Sequence, residues 1–192
     1  MNRRSFLQSS AAVAAATLLP AARGQGTAPA GRAFQLKFGP HHGHFEAHAG
    51  KGILDQIAFA ADAGFRAWED NGLPGRDVAT QEAIGRLLAQ RDMTMGVFVA
   101  YAEFKHPVFS GHRLSIDDRK RDPEGVRTML RQKMRDAVEI SKRVNAKWCT
   151  VVPGTIDPSV PFEYQTANTV EMLKVCAEIC EPAGLVIVFL IS

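Results

Sequence analysis

The sequence lacks several features that would each assign it to a particular class of protein. It contains three cysteines in 192 residues, too few for the disulfide framework of a small secreted domain. The Ala-rich stretch 9–19 is far shorter than the ~20 apolar residues of a membrane-spanning helix. No unit of 20–50 residues recurs, which excludes a solenoid. What remains has the composition of an ordinary globular domain.

The chain also lacks an excess of charge outside its first 30 residues. Three of its 23 basic residues (Arg3, Arg4 and Arg23) lie in that segment, which has no acid, and this leaves 20 basic against 20 acidic residues. A neutral body argues against nucleic acid as a partner, because binding to phosphates needs an excess of basic charge. We therefore expect a small-molecule partner and no nucleic acid.

The N-terminus has the three parts of a secretory signal. Paired arginines at positions 3 and 4 precede Phe6, the Ala-rich stretch 9–19 follows, and Ala28-Pro29-Ala30 supplies small residues for cleavage. The arginine pair is typical of a twin-arginine signal. We expect residues 1–30 to be a signal peptide and residues 31–192 to be one exported or periplasmic domain.

The body alternates short apolar runs with amphipathic segments. This alternation predicts βαβ units and a parallel sheet. The predicted strands are 34–38, 66–69, 93–101, 148–152 and 185–191, and the predicted helices are 53–65, 77–91, 124–147 and 162–182. The run 93–101 is continuously apolar, as in a strand buried on both faces.

Two parallel architectures fit this pattern, a doubly wound sheet and an eight-stranded barrel. No Gly-x-Gly-x-x-Gly follows the first predicted strand, so a dinucleotide-binding sheet loses support. A barrel typically needs ~250 residues, so residues 31–192 suffice for little more than half of one. The fold class is therefore α/β with about five strands and four helices, arranged either as a doubly wound sheet or as a truncated barrel.

Histidines and acids follow the predicted strands, where parallel folds keep their active sites. Four of the six histidines lie in residues 41–48, without the spacing of a zinc-binding helix. His41, nearest the strand, is the candidate for a substrate contact, and the others are expected in a solvated loop. Glu69 ends the second strand as a candidate base or hydroxyl ligand, or as part of a surface turn. Tyr101 and His112 belong to the long connection after the third strand, which is either a functional lid or a surface loop.

Five segments together resemble one family. They read LKFGPH (36–41), AGFRAWEDNG (63–72), MTMGVFVA (93–100), RVNAKWCTVVPG (143–154) and YQTAN (164–168). The chain resembles the hydroxypyruvate isomerase-like branch of the xylose isomerase-like barrels, from about residue 34 to 188. The resemblance implies a (β/α)8 barrel that isomerises or epimerises small hydroxy-carbonyl compounds. It implies contacts with the substrate for His41 and Glu69, and more weakly for His112. From these and from the positions of the residues after the strands, we expect Glu69 and His41 to be catalytic and His112 and Tyr101 to bind substrate.

The resemblance also implies a divalent metal, Mn or Mg, for the full-length family. The metal polarises the carbonyl while side chains move the proton. The family's fifth strand ends in a metal-binding Glu, and later strands supply further ligands. Leu190 stands where that Glu is expected, so no metal ligand can be assigned and no cofactor is expected for this chain alone.

Two functions remain open at this stage. The first is an exported sugar isomerase or epimerase, inactive as a truncated chain. The second is a non-catalytic half-barrel that serves as a remnant or as a binding or assembly module. A lyase or abasic-site nuclease on the same barrel is a weaker alternative. The change in sequence after Val188 suggests a frameshift or premature stop, and we expect self-association through open sheet edges.

Overall fold

The computed structural model describes residues 33–114 and 120–190. The predicted signal peptide and the last residue of the predicted fifth strand, Ile191, lie outside these ranges. The strands form one two-stranded and one three-stranded sheet, and within each sheet they pair in parallel and in chain order. They are β1 (Ala67–Trp68), β2 (Thr94–Met95), β3 (Val97–Glu103), β4 (Trp148–Pro153) and β5 (Val186–Phe189).

Gly96 divides one predicted strand between two ladders. On one side of it β2 pairs with β1, and on the other side β3 pairs with β4. The Gly96 N–H donates to the Trp68 carbonyl at 2.8 Å, so this residue still belongs to the first ladder. The expectation of one uninterrupted strand over 93–101 is therefore wrong. Burial on both faces is wrong as well, because fully buried residues alternate with partly exposed ones along β3.

Six helices surround the strands in the described part of the chain. They are α1 (Glu46–Ala49), α2 (Ile53–Asp62), α3 (Val78–Gln90), α4 (Val108–Gly111), α5 (Pro123–Val144) and α6 (Phe162–Cys180). The four long helices confirm the four predicted ones, with earlier ends. The two four-residue helices lie in stretches that the sequence analysis treated as loops.

Capping residues next to α3 and α5 determine where these two helices begin and where α5 ends. The Asp77 carboxylate accepts the Thr80 N–H ahead of α3, and the Asp122 carboxylate accepts the Gly125 N–H ahead of α5. Such N-caps satisfy backbone donors that have no partner within the helix. Asn145 ends α5 in the left-handed conformation, which asparagine tolerates better than most residues. The positions of both helices thus follow from their flanking residues.

The hydrophobic core lies between the strands and the helices. Trp68 and Phe98 from the strands are fully buried with Met134 of α5 and Met172 of α6. Burying side chains of this size stabilises the fold by roughly 1.5–3 kcal/mol each. This layer fixes the strands and so positions the residues that follow them.

The predicted first strand, 34–38, is wrong. The Phe34 N–H donates to the Gly64 carbonyl, and the Phe38 N–H donates back to Leu36 two residues away, which turns the chain. All three of these apolar side chains are exposed. Pairing with the next strand starts only at His41, as an isolated parallel bridge to Glu69. Apolar alternation alone therefore did not identify where the backbone pairs.

Candidate functional site

Glu69 directly follows β1, and its backbone is held by the segment before α1. Its N–H donates to the Pro40 carbonyl at 3.0 Å, and Glu69 bridges His41 in parallel. The carboxyl ends of parallel strands meet at one edge of a sheet, where parallel α/β folds bind their ligands. The structure thus brings together the two residues that the sequence suggested as catalytic.

The Glu69 side chain lies between two glycines. A Cβ atom built on either Gly39 or Gly96 would lie 3.1 Å from the Glu69 Cγ, closer than ordinary van der Waals contact. Within residues 33–114 and 120–190, no side chain or backbone group bonds to its carboxylate. The carboxylate is partly exposed. The two glycines therefore leave room for a carboxylate that is free to accept a proton or a hydroxyl group.

His41 is exposed and its ring orientation is fixed by its neighbours. Its Nδ1 lies 2.8 Å from the His42 carbonyl oxygen, and its ring lies 3.7 Å from that of His44, centroid to centroid. A carbonyl oxygen only accepts, so Nδ1 carries the proton in this contact. In the neutral ring Nε2 then has its lone pair free, which suits hydrogen bonding to a hydroxyl group.

Tyr101 lies within β3 and not in the connection after it, as the sequence analysis had expected, and it is partly buried. Its ring stacks on Phe109 of α4 at a centroid separation of 6.0 Å and lies against the hydrophobic core. Burial raises the pKa of the phenol far above its usual value, and the nearby Glu103 carboxylate adds to the effect. The hydroxyl group therefore stays protonated. No bond among the described residues joins Tyr101 to His41 or Glu69.

His112 is almost fully buried just after α4, in the left-handed conformation. The Arg121 guanidinium lies 3.2 Å from its Nδ1, and its carbonyl accepts the Asp122 N–H. Burial lowers the pKa of the imidazole, and the positive charge of Arg121 lowers it further. The ring is thus neutral, with Nδ1 accepting from Arg121, so that Nε2 carries the proton. That buried Nε2 has no hydrogen-bond partner in the described chain.

Glu103, at the end of β3, differs sharply from Glu69. One carboxylate oxygen accepts the backbone N–H groups of Phe104, Lys105 and His106, and the other lies 3.0 Å from the His106 Nδ1. Burial acts to raise the pKa of Glu103, but the bonds from His106 and the backbone outweigh it and lower the pKa to about 2. Both oxygens of this carboxylate are thus bonded to the loop that follows β3.

Two buried ion pairs beside the strand ends escaped the sequence analysis. Asp70 accepts Arg76 Nε at 2.6 Å and also the Gly72 N–H, which fastens the turn after β1. Asp157, in the segment after β4, lies 3.0 Å from Arg113 Nε. The Asp70 turn was readable from the nearby glycine, but nothing local signals a partner 44 positions away. Both pairs stabilise loops on the side of the strand ends.

The described residues contain no set of side chains arranged to bind the metal that the family resemblance implies. In residues 33–114 and 120–190, no group of three or more His, Cys, Asp or Glu side chains is arranged to hold an ion. His44 contacts the His41 ring, but within the described ranges His44, His41 and Glu69 are not arranged to hold an ion. We therefore derive no step through a metal.

Comparison with known proteins identifies the fold. The chain matches D-allulose 3-epimerase from Methylomonas sp. at 19% identity and a TM-score of 0.52, over 83% of this chain and 53% of that one. It matches a sugar phosphate isomerase/epimerase from Parabacteroides distasonis at 12% identity and 0.51, over 89% and 55%. An AP endonuclease of family 2 from Brucella melitensis matches at 17% and 0.51, over 72% and 49%.

These matches define the fold class as an α/β barrel of the TIM type, represented in part. The chain spans about half the length of the solved structures that it matches. No curated protein matches it. The predicted α/β class with parallel strands is confirmed, and so is the likeness to isomerase and epimerase barrels.

Residues 1–20 match the model of the TAT (twin-arginine translocation) pathway signal sequence. The protein therefore carries a signal for export through the twin-arginine pathway, as the paired arginines predicted. No helix within the described ranges is long and apolar enough to cross a membrane.

Proposed function

We propose that this chain forms part of an exported isomerase or epimerase that transfers a proton on a small hydroxy-carbonyl compound. One observation carries the proposal: the Glu69 carboxylate lies at a strand end, in a gap between Gly39 and Gly96, without a partner among the residues that the structure describes. A carboxylate kept free in this position suits a base, because a base must be within reach of substrate and not already bonded. The sugar epimerases among its structural neighbours favour the same chemistry.

In this proposal Glu69 removes the proton from the carbon beside the carbonyl group. The electrons of the broken C–H bond form an enediolate. In one outcome Glu69 returns the proton to the neighbouring carbon while a hydroxyl proton moves between the two oxygens. In the other, a solvent water protonates the original carbon from the opposite face, and Glu69 gives its proton back to solvent. The first outcome is isomerisation and the second is epimerisation. His41, through its free Nε2, would hydrogen-bond a substrate hydroxyl group beside Glu69. Hydroxypyruvate is our proposed substrate, and the periplasm is the proposed compartment.

The two proposed substrate-binding residues are not equivalent. The His112 Nε2 has no partner among residues 33–114 and 120–190, which leaves one donor for a ligand. Tyr101 has its ring stacked on Phe109. We therefore propose His112 as the more direct of the two, with Tyr101 supporting the loop that carries it.

The proposal is tested by hydrogen exchange from solvent. The full chain is incubated in D2O with hydroxypyruvate or D-fructose, with and without Mn²⁺, and deuterium at the carbon beside the carbonyl is followed by NMR. We expect exchange by the natural chain and a loss of about 100-fold or more in Glu69→Gln, because an amide cannot accept the proton. Glu82→Gln, which removes an exposed carboxylate on α3, is the matched control. Exchange that is absent in the natural chain, or unchanged in Glu69→Gln, contradicts the proposal.

A non-catalytic assembly module is the second candidate. Trp148 and Val186 are paired neighbours at the start of β4 and β5, and both are large apolar residues with about half of their surface exposed. Adjacent exposed apolar residues favour association. Sedimentation velocity tests this function: it requires an oligomer that Trp148→Lys dissociates. A monomer that shows proton exchange decides for the enzyme.

A further inference from the structure

Three thiols lie together beneath the start of the sheet. Cys149 is the second residue of β4, while Cys176 and Cys180 occupy the last two turns of α6. All three are fully buried and none forms a disulfide. The proposed isomerase chemistry uses none of them.

The backbone brings the end of α6 to the level of Cys149. The Cys180 carbonyl accepts the Leu185 N–H at 3.0 Å, which turns the chain from α6 into β5. Two residues later, Ile187 is the register partner of Cys149. Cys149 and Cys180 therefore lie close together in the core where the helix returns to the sheet, and each thiol shifts the pKa of the other.

The two thiols in contact are chemically unequal. The contact with Cys180, with burial, raises the pKa of the Cys149 thiol, whereas the contact with Cys149 lowers the pKa of Cys180. Cys149 is thus the donor and Cys180 the sulfur that more readily becomes a thiolate. Burial raises the pKa of Cys176 to about 12, which makes it a poor nucleophile. Only one pair is therefore suited to react.

We propose that Cys149 and Cys180 close into a disulfide after the chain is exported. The twin-arginine signal directs the chain out of the reducing cytoplasm, and disulfides persist in the compartments beyond it. The bond would join β4 to the C-terminal end of α6. Three cysteines are too few for a disulfide framework, but one suitably placed pair is enough for a single covalent link.

A small external disulfide can serve as the oxidant. The Cys180 thiolate attacks one of its sulfurs, which forms a mixed disulfide and releases one thiol. Cys149 then loses its proton and attacks the Cys180 Sγ, which releases the second thiol. Two protein thiols are oxidised and one external disulfide is reduced to two thiols. A groove of about 420 Å³ lined by Cys180, Glu181 and Gly184 gives the route to the first sulfur.

The expected effect is a more stable exported form. A disulfide stabilises mainly by restricting the unfolded chain, and the link would close the segment from Cys149 to Cys180. For a chain of this size we expect the melting temperature of the oxidised form to exceed that of the reduced form by roughly 5–10 °C.

The test compares exported protein with protein retained inside the cell by Arg3→Lys with Arg4→Lys. Free thiols are blocked on lysis, and the chain is cut with trypsin and with a protease that cleaves after glutamate. Cleavage after Lys174 and Glu178 separates the three cysteines into different peptides. Mass spectrometry should then find Cys149 linked to Cys180 in the exported chain and three blocked thiols in the retained chain.

Two variants assign the bond. Cys176→Ala should keep the link and the difference in melting temperature, and Cys180→Ala should lose both. The peptide analysis of the natural chain decides the proposal even if Cys180→Ala fails to fold. Three blocked thiols in the exported chain, or a link that includes Cys176, overturns it. Incubation of the retained chain with oxidised glutathione should form the same link, and failure to do so also counts against the pair.

Discussion

Gly96 lies directly against Glu69 at the point where β2 gives way to β3. A Cβ atom at this position would lie 3.1 Å from the Glu69 Cγ and 3.3 Å from the Trp68 carbonyl oxygen. The first neighbour is a flexible side chain, but the second is backbone of β1. The space that the Glu69 carboxylate occupies therefore depends on the absence of a side chain at position 96.

We predict that Gly96→Ala displaces the Glu69 carboxylate. A shift of about 1 Å costs on the order of 100-fold in a proton transfer that depends on position. Solvent exchange measured as for Glu69→Gln should therefore fall, while circular dichroism shows a folded chain. Gly75→Ala is the control, because a Cβ atom there meets nothing. Equal exchange rates in both variants would mean that Gly96 does not position the carboxylate.

We predict that substitution of Gly85 destabilises the fold by separating two packed helices. A Cβ atom at this position in α3 would overlap the Arg143 carbonyl oxygen and approach the Val144 Cα at 3.2 Å. These are backbone atoms of α5, so the helices must move apart. Gly85→Ala should reduce the free energy of unfolding by about 1–3 kcal/mol, as read from urea denaturation. A variant as stable as the natural chain would show that α3 and α5 pack less closely than described.

We predict that the ionised Glu103 carboxylate stabilises the fold and that this stabilisation disappears at low pH. Its pKa is about 2 in the folded chain against 4.5 for the free group. The stabilisation is therefore present above pH 4.5 and is lost as the pH falls towards 2. The free energy of unfolding, measured by urea denaturation, should fall more steeply between pH 5 and 2 in the natural chain than in Glu103→Gln. Glu82→Gln should keep the natural slope, and identical slopes for all three chains would argue against the loop contacts of Glu103.

We predict that His112 makes the stability of the fold depend on pH in a second, higher range. Its pKa is lowered from 6.5 by burial and by Arg121. The unfolded chain then takes up a proton more readily than the folded chain, so stability is complete above pH 6.5 and declines below it. His112→Asn tolerates the left-handed backbone and should flatten the profile below pH 6.5. His48→Asn, at an exposed position of α1, should leave the decline in place.

The helices were predictable because their signals are local. The apolar spacing of α3 and α5 is visible in the sequence, and Asp77 and Asp122 stand where N-caps are expected. Glu69 was found for a related reason, since a polar residue after an apolar run marks the end of a strand. The likeness to barrel enzymes came from such short segments taken together.

The rest depends on contacts between distant parts of the chain. The sequence does not show that the Glu103 carboxylate is occupied by the loop that follows it, whereas the Glu69 carboxylate is free. It likewise does not show that Arg113 reaches Asp157 or that Cys149 meets Cys180. The stretch 34–38 failed for the same reason, because strand pairing needs a partner and alternation describes one segment only.

The division of the sheet at Gly96 places two demands on one residue. Its N–H completes the ladder with β1, and the next residue begins the ladder with β4. A side chain here would disturb the backbone geometry and the carboxylate environment together. Saturation mutagenesis should consequently find that position 96 accepts only glycine. Met95, the register partner of Trp68 in β1, and Val97, the register partner of Trp148 in β4, should still accept other apolar side chains.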